Sequence, residues 1–330
     1  MKRAFSALAV LIIAAALLAG GVVIWGNKTF HDPGPLARET VIIIERGTGL
    51  RQIAGQLEQA GVLHYPLLFV TKAKWMGAHL DLKAGEYAFS PRISPAVAMK
   101  KIRAGDVVVH RITIPEGLTS QQVAKLIESA PALAGHLAAP PAEGSLLPET
   151  YDYIHGDSRD ALVKRMTAAH TTTLDRLWQT RAQGLPISDP QAATTLASIV
   201  EKETAAPKER PRVAAVFINR LRLGMRLQSD PTVVYAIAGG QGPLGRPLTR
   251  RDLAIDNPYN TYVIKGLPPG PIANPGAASL AAVLQPAQTK ELYFVADGTG
   301  GHAFAKTLRE HNRNVARWRR LQRKLKSQPK

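Results

Sequence analysis

The stretch Thr194-Thr195-Leu196-Ala197-Ser198-Ile199-Val200-Glu201-Lys202-Glu203-Thr204 places a carboxylate on the apolar face of a predicted helix. Leu196, Ile199 and Val200 recur at helical spacing, and Glu203 is the next residue on their face. A charge in such a position is costly, and burial raises the pKa of a carboxyl group. A carboxyl that keeps its proton near neutral pH can act as a general acid. Glu203 is therefore our candidate catalytic residue.

The alternative to a catalytic role for Glu203 is an ordinary structural role. The residue could pair with an Arg or Lys across a packing interface, because structural ion pairs also shift pKa values. Glu201 lies toward the edge of the same face, and the pattern predicts that its carboxylate is the more easily solvated of the two.

The residues that other enzyme classes need are missing from this sequence. The chain has no Cys, which excludes disulfides, a thiolate nucleophile and Cys-based metal sites. It has no His-Glu-x-x-His motif, and its nine His residues are scattered without ligand spacing. A Gly-x-Ser-x-Gly elbow and a phosphate-binding Gly-x-x-x-x-Gly-Lys loop are also absent. We expect neither a metal nor a cofactor.

Polar residues on proline-rich loops follow the Glu203 helix. A second amphipathic helix is predicted from about residue 209 to 223, and it contains Asn219. Prolines fix φ and lower loop entropy, so the connections beyond it can hold binding groups in place. Five polar residues lie on these connections and would suit a carbohydrate cleft: Gln228, Asp230, Tyr259, Asn260 and Thr261.

Each of these supporting residues also has an ordinary structural explanation. Gln228 and Asp230 could orient Glu203 or the sugar, or Asp230 could cap the turn before Pro231. Glu149 could lie in the cleft and influence the pKa of Glu203, or form a loop salt bridge. Asn219 could bond backbone rather than sugar. Tyr259 and Asn260 could serve only a turn, and for His302 a structural role is favoured.

An apolar segment near the amino end predicts a membrane anchor. Residues 4–25 are uncharged and follow Lys2 and Arg3. These 22 residues would span about 33 Å as a helix, enough for a bilayer core. A cleaved signal peptide is the alternative, although its apolar region would normally be shorter. The short basic amino terminus is expected to stay in the cytoplasm while the remainder is exported.

Positive charge is concentrated in the last 25 residues. The formal net charge is +17, and residues 306–330 contain ten Lys or Arg and one acid, Glu310. Such a patch can bind nucleic acid, an anionic membrane or an acidic polymer. Export makes nucleic acid an unexpected partner. The alternative is a solvated helix that docks through Val315, Trp318, Leu321 and Leu325.

The order of predicted elements indicates an α+β fold. Strands are predicted at 41–44 and 84–89, with helices at 50–57 and 94–102. A similar strand, glycine turn and helix recur about 70 residues later. We predict an anchor at 1–26, a linker at 27–39, an α+β module at 40–110, a connecting subdomain at 111–187 and a mixed α+β catalytic domain at 188–330 that ends in the basic helix.

The motifs of this chain resemble one known family in their order and combination. They are Leu146-Leu147-Pro148-Glu149-Thr150-Tyr151, Ala197 to Thr204, Phe217-Ile218-Asn219-Arg220-Leu221, Leu227-Gln228-Ser229-Asp230-Pro231-Thr232, Tyr259-Asn260-Thr261-Tyr262, Gly266-Leu267-Pro268-Pro269-Gly270 and Tyr293-Phe294-Val295-Ala296-Asp297-Gly298. Together they are similar to the endolytic murein transglycosylases, also called MltG or YceG-like proteins.

The resemblance implies a fold, a cellular location and an activity. It implies one inner-membrane anchor, a LysM-like module at 40–110 and a periplasmic catalytic domain. It implies a lyase that cuts the MurNAc-β-1,4-GlcNAc bonds of peptidoglycan internally, leaves 1,6-anhydroMurNAc ends and terminates growing strands. The second glutamate of the family's Glu-Lys-Glu-Thr motif, here Glu203, would be catalytic. Association with cell-wall synthases is implied by the resemblance alone.

Two other functions fit the same sequence. One is a non-catalytic, membrane-anchored scaffold that binds peptidoglycan. The other is a hydrolytic muramidase, whose products would carry free reducing ends.

Overall fold

A computed structural model describes residues 2–204 and 206–327, with side chains from residue 5 to residue 324 apart from residue 205. The described chain forms two compact units. The first contains the residues up to His110 together with Asp152–Gly156, and the second contains Arg111–Tyr151 and the residues from Asp157 onward. Helices and strands occur in both, so the predicted α+β class is confirmed. The domain boundaries stay a prediction.

Helices dominate the described residues. They are α1 (Lys2–His31), α2 (Leu50–Gln59), α3 (Pro66–Trp75), α4 (Pro95–Ala104), α5 (Ser120–Ser129), α6 (Arg159–Gln179), α7 (Pro190–Glu203), α8 (Arg210–Arg222), α9 (Asp230–Ala238), α10 (Ala277–Leu284) and α11 (Leu308–Ser327). Short 3₁₀ helices lie at Ala78–Leu80 and Asp252–Ala254.

The strands pair in three small sheets. They are β1 (Thr40–Ile44), β2 (Gly85–Phe89), β3 (Val109–Thr113), β4 (Thr150–Ile154), β5 (Tyr293–Ala296) and β6 (His302–Ala305). Strand β1 pairs with β2, β3 with β4, and β5 with β6. The first and last pairs are antiparallel, with Ile42 opposite Tyr87 and Phe294 opposite Phe304.

Helix α1 contains the apolar segment that the sequence predicted. Within Phe5–His31, the most apolar stretch has a mean hydropathy of 2.8, and none of that stretch is buried in the protein. This helix is compatible with a single-pass membrane anchor. It extends through the first part of the predicted linker, and its last turn joins the first unit, where Phe30 is buried in the core.

The core of the first unit lies between sheet β1–β2 and helices α2, α3 and α4. Its largest buried side chains are aromatic: Phe30, Phe69, Tyr87 and Phe89. The predicted strands and helices of this region are confirmed, whereas α3 was not predicted. That this module is LysM-like remains a prediction.

The core of the second unit is built around α7. Asp189 caps this helix by accepting a hydrogen bond from the Ala192 amide (2.8 Å), and Pro190 occupies its first turn. Leu196, Ile199 and Val200 are fully buried, as the helical spacing predicted. They pack with α8 and α10, so the apolar face of α7 is fixed and the positions of its terminal carboxylates are fixed with it.

The basic helix α11 docks on the second unit through part of its predicted apolar stripe. Trp318 and Leu321 lie over Gly298, in the turn between β5 and β6, where a Cβ atom would clash with Leu321. Val315 is half-buried on the same face, and Leu325 lies outside the described side chains. The Arg residues on the opposite face are exposed, which supports the docking interpretation for this part of the helix.

Candidate active site

Glu203 is the last residue of α7, and its carboxyl group is enclosed near the wall of a cleft. Ser229 donates a hydrogen bond from its hydroxyl to Oε1 of Glu203 (2.5 Å). The pKa of Glu203 is raised to about 7, chiefly by burial and to a smaller extent by the negative charge of Asp230. The Ser229 hydrogen bond and the charges of His302 and Arg220 act in the opposite direction. The carboxyl group can therefore change its protonation state near neutral pH.

The Ser229 hydroxyl is positioned by a buried network. The Ser229 amide donates to Oγ1 of Thr261 (2.9 Å), and the Thr261 hydroxyl also bonds that of Thr232 (2.9 Å). The Gln228 amide donates to the Thr261 carbonyl oxygen (3.1 Å). Ser229, Thr232 and Thr261 are all buried. Their hydrogen bonds to one another fix the position of the Ser229 hydroxyl that donates to Glu203.

Gln228 and Asp230 stand on either side of Ser229 and face the cleft. Gln228 adopts a φ of 50°, a left-handed conformation that is uncommon for a residue with a side chain. Both residues are exposed, and both line the cleft beside Glu203. The Tyr262 hydroxyl donates to Oδ1 of Asp230 (2.6 Å). The cleft therefore holds a second carboxylate, fixed by a tyrosine.

Arg220 supplies a buried cation to the same cleft. Its Nε donates to the Leu292 carbonyl (2.7 Å) and its Nη1 to the Leu227 carbonyl (2.7 Å). The guanidinium lies 5.2 Å from the ring centre of Tyr293. Because these carbonyls hold Arg220 without neutralising its charge, the cleft wall keeps a positive field near Glu203.

Helix α11 completes the cleft wall with its first turn. Leu308 and His311 both border the cleft, and the His311 ring stacks on Tyr293 at 5.2 Å between centres. The cleft encloses about 340 Å³. Its lining residues are Glu203, Phe217, Arg220, Leu227, Gln228, Asp230, Tyr262, Tyr293, Phe294, Leu308 and His311.

His302 is held beside this region by one acidic residue. Both carboxylate oxygens of Glu209 engage it: Oε1 accepts the backbone N–H (3.0 Å), and Oε2 bonds Nδ1 of the ring (2.7 Å). The ring also packs against Phe294, a lining residue of the cleft, with centres 5.3 Å apart. Glu209 therefore fixes the orientation of the imidazole.

Glu201, two residues before Glu203, belongs to a different environment. Its side chain is only 5% exposed and pairs with Arg210 (3.2 Å), while Oε2 accepts the Gly276 amide (2.9 Å). Burial, followed by the nearby charge of Glu201, raises the pKa of Glu116, which also contacts Arg210. The expectation that Glu201 is solvated was wrong, because a buried arginine replaces water around it.

Comparison with known proteins identifies the family of this chain. A family model described as the YceG-like family matches residues 42–317. The chain belongs to the YceG-like family.

Three relatives agree with this assignment. A protein named endolytic murein transglycosylase from Streptococcus pneumoniae strain D39 is 31% identical, over 83% of this chain and 57% of its own length. One of the same name from Bacillus subtilis strain 168 is 30% identical over 90% of each chain. The crystal structure of a yceG-like protein from Listeria monocytogenes is 32% identical and matches with a TM-score of 0.51, over 84% of this chain and 99% of that one.

This YceG-like chain is considerably shorter than some of its relatives. It spans just over half the length of the pneumococcal proteins that it matches.

Not all residues singled out in the YceG-like sequence border the cleft. Asn219 donates to the carbonyls of Thr289 (2.9 Å) and Glu291 (3.0 Å). Asn260 is buried and donates to the Ile255 carbonyl (2.8 Å). These two side chains brace loops around the site.

Thr261, Tyr259 and Glu149 also lie outside the cleft lining. The Thr261 hydroxyl oxygen accepts a hydrogen bond from the Ser229 amide and so helps to position Ser229. Tyr259 packs against Tyr235, with ring centres 4.9 Å apart. Glu149 is exposed, and its carbonyl oxygen accepts the Ile114 amide (3.0 Å). Direct contact of these residues with a substrate stays a prediction.

Several residues of the site were not singled out from the sequence. Ser229 and Tyr262 lie inside motifs that were quoted, but nothing in the pattern set them apart from their neighbours. Arg220 lies one position after Asn219 and turns out to face the cleft. His311 belongs to the basic segment, which was interpreted for its charge and for its apolar stripe but not as part of the site.

Proposed function

We propose that this protein is a membrane-anchored lytic transglycosylase that cleaves peptidoglycan glycan strands internally, with Glu203 as its general acid and base. The observation that carries the proposal is the enclosed carboxyl group of Glu203, whose pKa is raised to about 7 and which opens on a cleft lined by polar and aromatic side chains. The relatives from S. pneumoniae and B. subtilis, which are named endolytic murein transglycosylases, support it.

In the first step, protonated Glu203 gives its proton to the glycosidic oxygen between MurNAc and GlcNAc. The C1–O bond breaks with its electron pair going to that oxygen, and C1 of MurNAc develops oxocarbenium character. The negative charge that appears on Glu203 is stabilised by the Ser229 hydroxyl and by the positive field of Arg220.

In the second step, the 6-hydroxyl of the same MurNAc attacks C1 and gives its proton to Glu203. The product is a 1,6-anhydro sugar, and no water is consumed. An intramolecular nucleophile has a high effective concentration, so no second carboxylate is required to activate it. Glu203 is protonated again at the end of the cycle.

The surrounding residues then have distinct roles. Ser229 orients the carboxyl group and stabilises its charged form, whereas Asp230 favours its protonated form. Gln228 and Tyr262 face the cleft at the right place to bond sugar hydroxyl groups. Tyr293 and Phe294 present aromatic surface to a sugar ring.

Helix α1 supports a membrane location for this activity. Its apolar segment supports a single-pass anchor in the cell inner membrane, with the amino terminus in the cytoplasm and the remaining chain in the periplasm. Cleavage inside a strand close to this membrane would end the elongation of newly made glycan, at the place where synthases are expected as partners.

A hydrolytic muramidase is the second candidate, because Asp230 provides another carboxylate in the cleft. Glycosidases that add water use a pair of carboxylates, one as acid and one as base or nucleophile. In that mechanism Asp230 would activate water or attack C1.

Mass spectrometry of digested sacculi separates these possibilities. Purified full-length protein should release muropeptides with anhydro ends, which are lighter by one water than reducing ends. Glu203→Gln protein should bind sacculi and release neither product. Reducing ends from the wild-type protein would favour the muramidase, and sedimentation with sacculi without any new ends would favour a binding scaffold.

A further inference from the structure

The first unit carries a concentrated apolar patch that its own core does not cover. Outside α1, the three most exposed large apolar side chains among those described are Trp75 (81%), Leu80 (80%) and Leu67 (76%). Tyr65 and Met76, which are about half-exposed, belong to the same short segment. We call these five residues the collar. Scattered apolar residues on a surface are normal, but a cluster of this kind indicates an interaction surface.

The collar is built mainly on one face of α3 and its flanks. Leu67, Thr71, Lys74 and Trp75 follow helical spacing along the exposed side of that helix, while Phe69, Val70 and Ala73 are buried on the other. Met76 and Leu80 continue the exposed surface just beyond the helix.

The collar lies against the end of the apolar helix α1. Trp25, at the boundary of the apolar segment, contacts the Tyr65 ring with centres 5.2 Å apart. A Cβ atom on Gly26 would lie 3.2 Å from Leu68 in α3. Lys72 donates to Oδ1 of Asn27 (3.1 Å). These contacts fix α3 beside the last turns of α1.

Cations accompany the apolar surface. Lys72 lies 5.8 Å from the ring centre of Phe30 and 5.4 Å from that of Trp75. A groove of about 900 Å³ runs from the end of α1 to Met76 and Leu80. Three basic residues line it, namely Lys83, Lys100 and Arg103, together with the acidic Asp81 that pairs with Arg103.

We propose that the collar and this basic groove form a membrane-contact surface, which rests on the anionic headgroups of the bilayer that α1 spans. Tryptophan and tyrosine side chains beside basic residues are the composition found at membrane interfaces. The end of a spanning helix fixes the position of the bilayer surface, and α3 is packed against that end. The inference rests on the proposed anchorage by α1 and extends it from one helix to the whole first unit.

The absence of Cys from the sequence gives a direct test. Single cysteines at Leu67, Trp75 and Leu80 in the full chain would each receive a nitroxide label. The protein would be reconstituted in nanodiscs containing phosphatidylglycerol. Collision of each label with oxygen, which concentrates in lipid, is compared with collision with a water-soluble nickel complex. Two matched positions complete the set: Leu18, in the middle of α1, and Val109, an exposed apolar residue of the same unit.

Contact with the bilayer predicts a severalfold higher oxygen-to-nickel ratio at Leu67, Trp75 and Leu80 than at Val109. A ratio equal to that of Val109, with Leu18 deep in lipid, would overturn the collar proposal and leave the anchor intact. A water-exposed label at Leu18 would overturn both. Labels at the collar that are shielded from oxygen and nickel alike would indicate a protein partner instead, which also overturns the proposal.

Discussion

Glu201 and Glu203 stand two residues apart on α7, yet the regions around their carboxyl groups are opposite in kind. The Glu201 carboxylate is buried inside the second unit. It pairs with Arg210 and accepts a hydrogen bond from the Gly276 amide. Glu203 reaches a cleft, and among the described residues no Lys or Arg lies within salt-bridge distance of it. Its Oε1 accepts a hydrogen bond from the neutral Ser229 hydroxyl.

The difference follows from helix geometry and from what each face meets. A step of two residues rotates a side chain by about 200°, so the two carboxyl groups leave α7 on different sides. Arg210 compensates the charge of Glu201, which supports a structural role for that residue. Glu203 is buried without a direct ion pair and lies near the negative charge of Asp230, so it can hold a proton near pH 7. Carboxylates on one helix can therefore serve stability and chemistry separately.

The largest expected effect is the loss of activity on removing the acid. Glu203→Gln keeps the shape of the side chain but has no proton to donate. General acid–base catalysis contributes about 10²- to 10⁴-fold, so the rate of anhydro-end release should fall by at least that range. The measurement is the initial rate on purified sacculi, with circular dichroism to confirm the fold. Residual activity within tenfold of wild type would remove Glu203 from the mechanism.

The corresponding substitution at Glu201 should lower the stability of the fold and leave the rate of strand cleavage largely unchanged. Glu201→Gln leaves the buried Arg210 without its closest anion, and breaking a buried ion pair costs about 3 kcal/mol. The midpoint of urea unfolding of the full chain in detergent should drop, while the rate on sacculi of the protein that remains folded should change only a few fold. A Glu201→Gln protein as inactive as Glu203→Gln, with unchanged stability, would invert the assignment of the two roles.

The pH dependence of stability should also distinguish the two glutamates. The pKa of Glu203 is raised from an ordinary value of 4.5 to about 7, so between these values the folded state binds more protons than the unfolded state. Stability of the wild type is therefore lost as pH rises through this window. Glu203→Gln should gain roughly 3 kcal/mol relative to wild type between pH 4 and pH 8. Urea unfolding at these two pH values measures the change, and a constant difference would contradict a raised pKa.

The smallest effects concern the neighbours that adjust the Glu203 pKa. Ser229→Ala removes a hydrogen bond to the charged form and should move the basic limb of the pH–rate profile upward. Asp230→Asn removes a negative charge and should move the same limb downward. Each shift should be about one pH unit or less. The pH–rate profiles on sacculi test both, and movement of the two variants in the same direction would refute this electrostatic arrangement.

Asp230→Asn also tests the second candidate function. A transglycosylase should keep releasing anhydro ends from this variant, because the 6-hydroxyl remains the nucleophile. A muramidase that depends on Asp230 should lose its activity altogether.

The fold could be predicted where side-chain spacing is regular. Leu196, Ile199 and Val200 defined the buried face of α7, and the α+β order of the first unit followed from equally clear patterns. Helix α3 was missed because Leu67 and Trp75, which are exposed, blur its apolar face. Helix α10 was missed because its run of small and apolar residues, Ala277–Leu284, has no polar side to show a period.

Only the part of the site that lies on α7 could be predicted from the sequence. The position of Glu203 followed from the phase of α7, but the partners of both glutamates come from other elements. Nothing in the spacing of Glu201 shows that Arg210 pairs with it. Ser229, which donates to Glu203, is itself bonded to Thr261 from a distant loop. Contacts of this kind depend on tertiary packing, which a pattern along the chain does not contain.

The first turn of α11 closes the cleft, although it lies far beyond Glu203 in the sequence. A ribosome makes Leu308 and His311 long after it has made the catalytic carboxyl group. A chain synthesised only as far as α10 therefore carries Glu203 without one wall of the cleft. If the proposed function is right, a partly made chain could cut glycan strands only after α11 had been synthesised and docked.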